Sequence, residues 1–149
     1  MSVLKPLAAA VALSAGLAEA AAFTLQTAQG QPWSLAGVLD RERILIVNNP
    51  LASYLVAARR QDPELQVRDL RVVALLPPGD ARLNGPAALM LTLLADPGGK
   101  VGAQYGRAAL IGKDTGIKAR YQTFPTLNSV AALVDTMPLR RQERGERGR

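Results

Sequence analysis

The sequence predicts an α/β domain with a mixed central sheet flanked by helices and a β-hairpin ahead of it. Three observations carry that prediction. Arg43–Asn48 (RILIVN) and Leu70–Leu76 (LRVVALL) are apolar runs of strand length, the pattern of central strands buried on both faces. Between them, Leu51–Arg60 sets Leu51, Tyr54, Leu55 and Ala58 at helical spacing. Further on, a second pair of strand-like segments leads into another helical one.

Each element follows in order. Phe23–Thr27 and Gln31–Leu35 alternate apolar and polar residues around Ala28-Gln29-Gly30, which predicts a hairpin. Asn48-Asn49-Pro50 breaks the first central strand; Asn49 is the expected N-cap of the next helix and Pro50 fits its first turn. Asp62-Pro63 is expected to end that helix, and Pro77-Pro78-Gly79 stops the second central strand. Ala81–Ala95 admits two readings, a helix over Ala87–Leu94 or a short strand over Leu91–Ala95. Asp96-Pro97-Gly98-Gly99 is a turn opening a short helix that ends near Gly106. Arg107–Gly112 and Gly116–Gln122 bracket Lys113-Asp114-Thr115 as a second hairpin. Thr126–Thr136 places Leu127, Val130, Ala131 and Val134 on one helix face, with Thr126 as N-cap and Pro138 just past the end.

The two ends of the 149-residue chain differ from this body. Lys5, the apolar run Leu7–Ala18 and the small-x-small triplet Ala18-Glu19-Ala20 make residues 1–20 a signal peptide, cleaved after Ala20 or, at an alternative triplet, after Ala22. The apolar run is too short to span a bilayer. The expected product is an exported protein, periplasmic or secreted, with no transmembrane segment after cleavage and a domain over residues 21–138. Cleavage removes one base and one acid, so the net charge stays at +6. Residues 139–149 (LRRQERGERGR) have no apolar residue after Leu139, and this composition predicts a basic, disordered tail.

Composition also excludes chemistry. The chain has no Cys and no His. Disulfides, thiolate nucleophiles, Ser-His-Asp triads and nearly all zinc, copper or haem sites are therefore out of reach. Lys100 lacks the following Ser/Thr of a phosphate-binding loop. No cofactor is expected. The basic tail has no aromatic residue for base stacking, so nucleic acid is not an expected partner.

Two stretches resemble peroxiredoxins and thioredoxins: Phe23–Asn48, and Leu91–Tyr121 with its Asp-Pro-Gly-Gly-Lys-Val and Tyr-Gly. Leu110–Lys118 (LIGKDTGIK) and Val134–Glu143 (VDTMPLRRQE) are similar to the bacterial domain-of-unknown-function family 4174, a resemblance spanning Pro32–Glu143. Thr115 stands where that family usually has Gly, Thr136 where it has Ser, and Leu139 where it has Met. The resemblance implies a thioredoxin-like fold. Redox members of that fold carry a thiolate at the start of the first helix and a Pro before the third core strand. The matching places here are Asn48-Asn49-Pro50-Leu51 and Arg107-Ala108, without either signature.

The remaining candidates are charged. Lys113, Lys118 and Arg120, joined by Arg140 and Arg141, would form a basic strip for a protein partner or small anionic ligand if the last helix ends beside the Gly116–Gln122 strand. Asp114 and Gly116 shape the hairpin turn. Asp135 is expected to pair with Arg140 or Arg141 at the exit of the last helix, beside Pro138. Trp33 and Tyr105 are expected in the core. The function that fits is a non-catalytic binding or accessory module. The alternatives are a degenerate peroxiredoxin-like enzyme with a non-thiol activity, or a structural envelope protein held to an anionic surface by its tail.

Overall fold

The computed structural model describes residues 11–12 and 20–147. Apart from Val11–Ala12 and Ala20, the expected signal peptide lies outside the described residues. The strands are β1 (Val11–Ala12), β2 (Thr24–Gln26), β3 (Pro32–Ser34), β4 (Arg43–Asn48), β5 (Leu70–Leu76), β6 (Leu91–Ala95), β7 (Ala108–Ile111) and β8 (Ile117–Tyr121). The helices are α1 (Ala52–Arg60), α2 (Asp62–Val67), α3 (Lys100–Tyr105), α4 (Leu127–Asp135) and α5 (Pro138–Arg147).

The strands form one mixed sheet in the order β1-β8-β7-β4-β5-β6-β2-β3. β4, β5 and β6 run parallel, and β7 pairs antiparallel with β4 on the other side. The β2–β3 hairpin joins the edge through a single pairing, Gln26 with Ala95. β1 is a two-residue pairing with β8 inside the expected signal segment. Without it the sheet has seven strands and β8 is an edge.

Period-two alternation divides each central strand between two cores. Leu45 and Val47 face Leu55 and Ala58 of α1, Leu65 of α2, and Val130 and Val134 of α4. Ile44 and Ile46 face the other way, against Leu35, Trp33 and Tyr105. Tyr105 is buried in that second core and Trp33 is half-buried against it. α4 is capped as its sequence implies: Thr126 Oγ1 accepts from the Ser129 amide at 3.1 Å. Among the described residues no helix is long and apolar enough to cross a membrane.

Two local expectations change and two are refined. Asn49 does not cap α1; it takes a left-handed conformation (φ 55°), its side chain accepts from Arg82, and Leu51 holds the N-cap position. α1 ends before Asp62-Pro63 as expected, and a second helix follows at once. Proline is tolerated in a first turn, so the pair starts α2 after a break at Gln61. Of the two readings for 81–95, the strand holds. Leu91–Ala95 finds partners on both sides, and a short 3₁₀ turn, Ala81–Asn84, precedes it.

The second change is the tail. Residues 138–147 are a helix docked on the domain, with Arg140 2% and Glu143 7% exposed. A composition rule counts only apolar burial, whereas this segment is held by ion pairs.

Thr115 sits at φ 69° in the β7–β8 turn, a left-handed conformation that strains a β-branched residue. Thr115→Gly is expected to stabilise the protein by about 0.5–1 kcal/mol, the relief of strain outweighing the entropy of a freer unfolded chain. Urea denaturation of the two proteins checks this, and a lower midpoint for the glycine variant contradicts it.

Candidate functional site

Two polar clusters stand at opposite ends of β4. At its carboxyl end lies the place where the resemblance puts a thiolate. Asn48 and Asn49 occupy it. The chain there is clamped by Arg82, whose Nη1 donates to the Pro50 carbonyl at 2.5 Å and whose Nη2 donates to Asn49 Oδ1 at 2.7 Å. Arg82 is itself oriented by Asp80 through Nε at 2.8 Å and Nη2 at 2.7 Å. The Arg82 side chain and backbone amide draw the Asp80 carboxyl down to a pKa of about 2. Asp96, 3% exposed, accepts the Val101 and Gly102 amides at the start of α3 at 3.1 and 2.8 Å. The Asn48 amide packs so closely on Gly102 that a Cβ there would fall 2.4 Å from Asn48 Oδ1. Every carboxylate in this cluster is committed to a hydrogen bond. The nearby Tyr54 phenol is pushed above its ordinary pKa by burial and by Tyr121, and it donates to the Pro125 carbonyl at 2.6 Å. The cluster has the form of a buttress.

At the amino end of β4, Arg43 is 1% exposed. Its Nη1 donates to Glu143 Oε1 at 3.1 Å and to the Arg68 carbonyl at 2.7 Å. Glu143 also accepts from Lys113 Nζ at 2.5 Å, and Arg140 Nη1 lies 3.8 Å from it. Lys113 reaches Asp69 at 2.9 Å, which Arg147 shares at 3.1 Å. Arg68 holds Asp135 through two bonds at 3.1 and 3.0 Å and Glu64 through one at 3.1 Å, while Arg140 Nε meets Asp135 at 3.4 Å. The ion pairs thus join five cations (Arg43, Arg68, Lys113, Arg140, Arg147) to four carboxylates (Glu64, Asp69, Asp135, Glu143). Two guanidinium nitrogens buried in the cluster, Arg43 Nη2 and Arg140 Nη1, have no hydrogen-bond partner among the described residues. A cavity of about 370 Å³ is lined by Arg43 but not by Arg140; Lys113, Lys118, Met137, Pro138 and Leu139 form the rest of its wall, with Gly112 and Asp114 completing it.

The five residues of the expected basic strip are not one free surface. Lys113 and Arg140 are drawn into the ion cluster. Lys118 pairs with Asp114, which also accepts the Gly116 amide at 3.0 Å and so fixes the turn. A β-bulge at Leu110/Ile111 displaces Lys118 from simple alternation. Arg120 turns toward α3, donating to the Gln104 carbonyl at 3.0 Å, and Arg141 is exposed on α5. Arg140 is the partner that Asp135 takes from α5, although Arg68 holds it more closely. Pro138 ends the α4–α5 turn by starting α5. Sequence reasoning missed Arg43, Arg68, Asp69 and Glu143. The available signal was Arg43 itself, since a charge opening a strand buried on both faces needs a partner.

Burial pushes the Glu143 carboxyl up, but the bonds and charges of Lys113 and Arg43 outweigh it and leave its pKa below the ordinary 4.5. Asp69 and Asp135 follow the same pattern, burial opposed by Lys113 and Arg147 in one case and by Arg68 and Arg140 in the other. Carboxyls lowered in the folded state add stability that is complete above the ordinary carboxyl range and is lost as pH falls through their lowered values. Unfolding free energy is therefore expected to be level above about pH 5 and to decline below about pH 4.5. Glu143→Gln should cost about 3 kcal/mol, since it strands buried cations, and should flatten that decline; Glu146→Gln, on an exposed residue, should change stability by less than about 0.5 kcal/mol. Urea titrations across pH read both effects. Equal effects of the two substitutions contradict the assignment.

Solved structures similar to this chain share the fold. They include peroxidoxin BcpB from Mycobacterium tuberculosis (TM-score 0.64, 17% identity, 80% of this chain and 95% of that one). The reduced 2-Cys peroxiredoxin of Plasmodium vivax gives a TM-score of 0.63 at 14% identity over 87% of this chain and 83% of its own. A putative thiol:disulfide interchange protein DsbE from Chlorobium tepidum gives 0.59 at 14% identity over 78% and 92%. At these identities the likeness concerns fold alone, and the sheet with its flanking helices is thioredoxin-like. No curated protein matches the sequence. The model of a domain of unknown function, DUF4174, matches residues 34–143, from the β3 strand to the buried carboxylate of α5, and the chain belongs to that family.

Proposed function

We propose that this chain is an exported, non-catalytic binding or accessory module that has kept the thioredoxin-like scaffold and given up its thiol chemistry. One observation carries the reading: the thiolate position holds Asn48-Asn49-Pro50, pinned by Arg82 and Asp80, in a chain with no Cys or His. A reactive site needs a group free to change its bonding during reaction. The polar groups at this place are spent on holding the backbone. The reading of an enzyme with a non-thiol activity finds little support in carboxylates already engaged by amides and by Arg82. Attachment to an anionic surface through the tail is weakened because Arg140 and Arg147 are paired with carboxylates.

Export rests on the signal-like segment of the sequence. The Tyr105 hydroxyl donates to the Ala21 carbonyl at 2.9 Å, a bond kept by cleavage after Ala20 and lost by cleavage after Ala22.

Purified protein is expected to show no peroxidase or disulfide reductase turnover above buffer, because no attacking thiolate exists. Peroxide consumption and insulin reduction assays check this, and turnover that copurifies with the chain through successive columns would overturn the reading. Intact-mass measurement of exported protein should give a chain starting at Ala21; a product retaining Met1 would contradict export.

A further inference from the structure

We infer that the cavity between the β7–β8 turn and the start of α5 binds a small monocarboxylate with an apolar body. The inference deepens the binding-module reading and rests on it.

Charge comes first. The ion cluster beneath the cavity carries five cations against four carboxylates, an excess of one. A buried, uncompensated charge is costly, and a bound counter-ion removes that cost. Hydrogen bonding points to the same place. Arg43 lines the cavity, is 1% exposed, and its Nη2 has no partner. A planar guanidinium with a spare N–H edge is suited to a carboxylate oxygen.

The start of α5 adds a third term. This helix is ten residues long, has no acidic residue in its first turn, and its Pro138 and Leu139 form part of the wall. Its positive end is therefore unanswered by the chain itself. Asp114, the one carboxylate in the wall, is already engaged by Lys118 and the Gly116 amide. The single excess charge selects a monoanion over a phosphate dianion. The rest of the wall selects the body of the ligand. Met137, Pro138 and Leu139 present carbon, and Leu139 is 45% exposed at the surface. About 370 Å³ is at the small end of ligand pockets, enough for a short acyl chain.

Octanoate is the probe, titrated into the full mature chain and followed by amide chemical shifts. The expected result is saturable binding with Kd at or below about 1 mM, with the shifts centred on Gly112, Lys113 and Leu139. Octanamide, which keeps the body and loses the charge, should bind at least tenfold more weakly. Arg43→Lys keeps the charge but removes the fork, and should weaken octanoate at least tenfold. Because Arg43 is buried and its variant can fail to fold, Leu139→Glu is the second test. It places a fixed carboxylate at the exposed wall and should also cost at least tenfold, with an unchanged melting curve. The inference is overturned by shifts centred elsewhere, by octanamide binding as tightly as octanoate, by inorganic phosphate outcompeting octanoate, or by wild-type affinity in folded Leu139→Glu. The two readings fail separately. Thiol turnover would remove the non-catalytic reading without moving octanoate, and absence of octanoate binding would remove this site while the redox assays stay blank.

Discussion

One buried carboxylate organises the last part of this molecule. Glu143 reaches back to Arg43 at the foot of a central strand and to Lys113 in the β7–β8 turn, and it lies close to Arg140 on its own helix. Three cations around one acid form an arrangement that stands only if further carboxylates share the load. Asp69 and Asp135 do so, and each ties in another element: Asp69 sits at the entrance to β5, and Asp135 ends α4. The helix that would otherwise have too few apolar residues to stay attached is therefore fastened to three separate parts of the sheet. Burial makes every one of these charges expensive to leave alone, so the cluster forms as a whole or not at all.

The same constraint explains why some of the fold could be read from sequence and some could not. β4 and β5 match their expected limits residue for residue because burial on both faces leaves an unbroken apolar run that nothing else imitates. Thr126 marks the start of α4 because a cap is a local interaction. Asn49 misleads for the converse reason. Its side chain is a good cap, but Arg82, thirty-three residues away, takes it. The tail misleads more strongly. Its helix depends on a bond between residues a hundred positions apart, and no window of composition contains both partners. Of the five strip residues, the sequence located the right neighbourhood for Lys113 and Arg140, since both lie in family-like motifs. It could not reveal that the acids between them consume their charge.

In open α/β sheets ligands usually sit outside the carboxyl ends of the strands, whereas the unpartnered Arg43 Nη2 lies at the amino end of β4. Asn48 and Arg43 bound the same six-residue strand, so at a rise of ~3.3 Å per residue the two clusters lie about 17 Å apart. At the carboxyl end Asp80, Arg82 and Asp96 are committed to hydrogen bonds, Asn48 is wedged against Gly102, and Arg82 holds the Asn49-Pro50 segment. At the amino end the sum does not close: two buried nitrogens lack partners, one positive charge is in excess, and a cavity is lined by Arg43. Polar groups left unmatched in an otherwise well-paired protein are where binding energy can still be gained. The proposed carboxylate site therefore lies at the end of β4 opposite the position that Asn48 and Asn49 occupy.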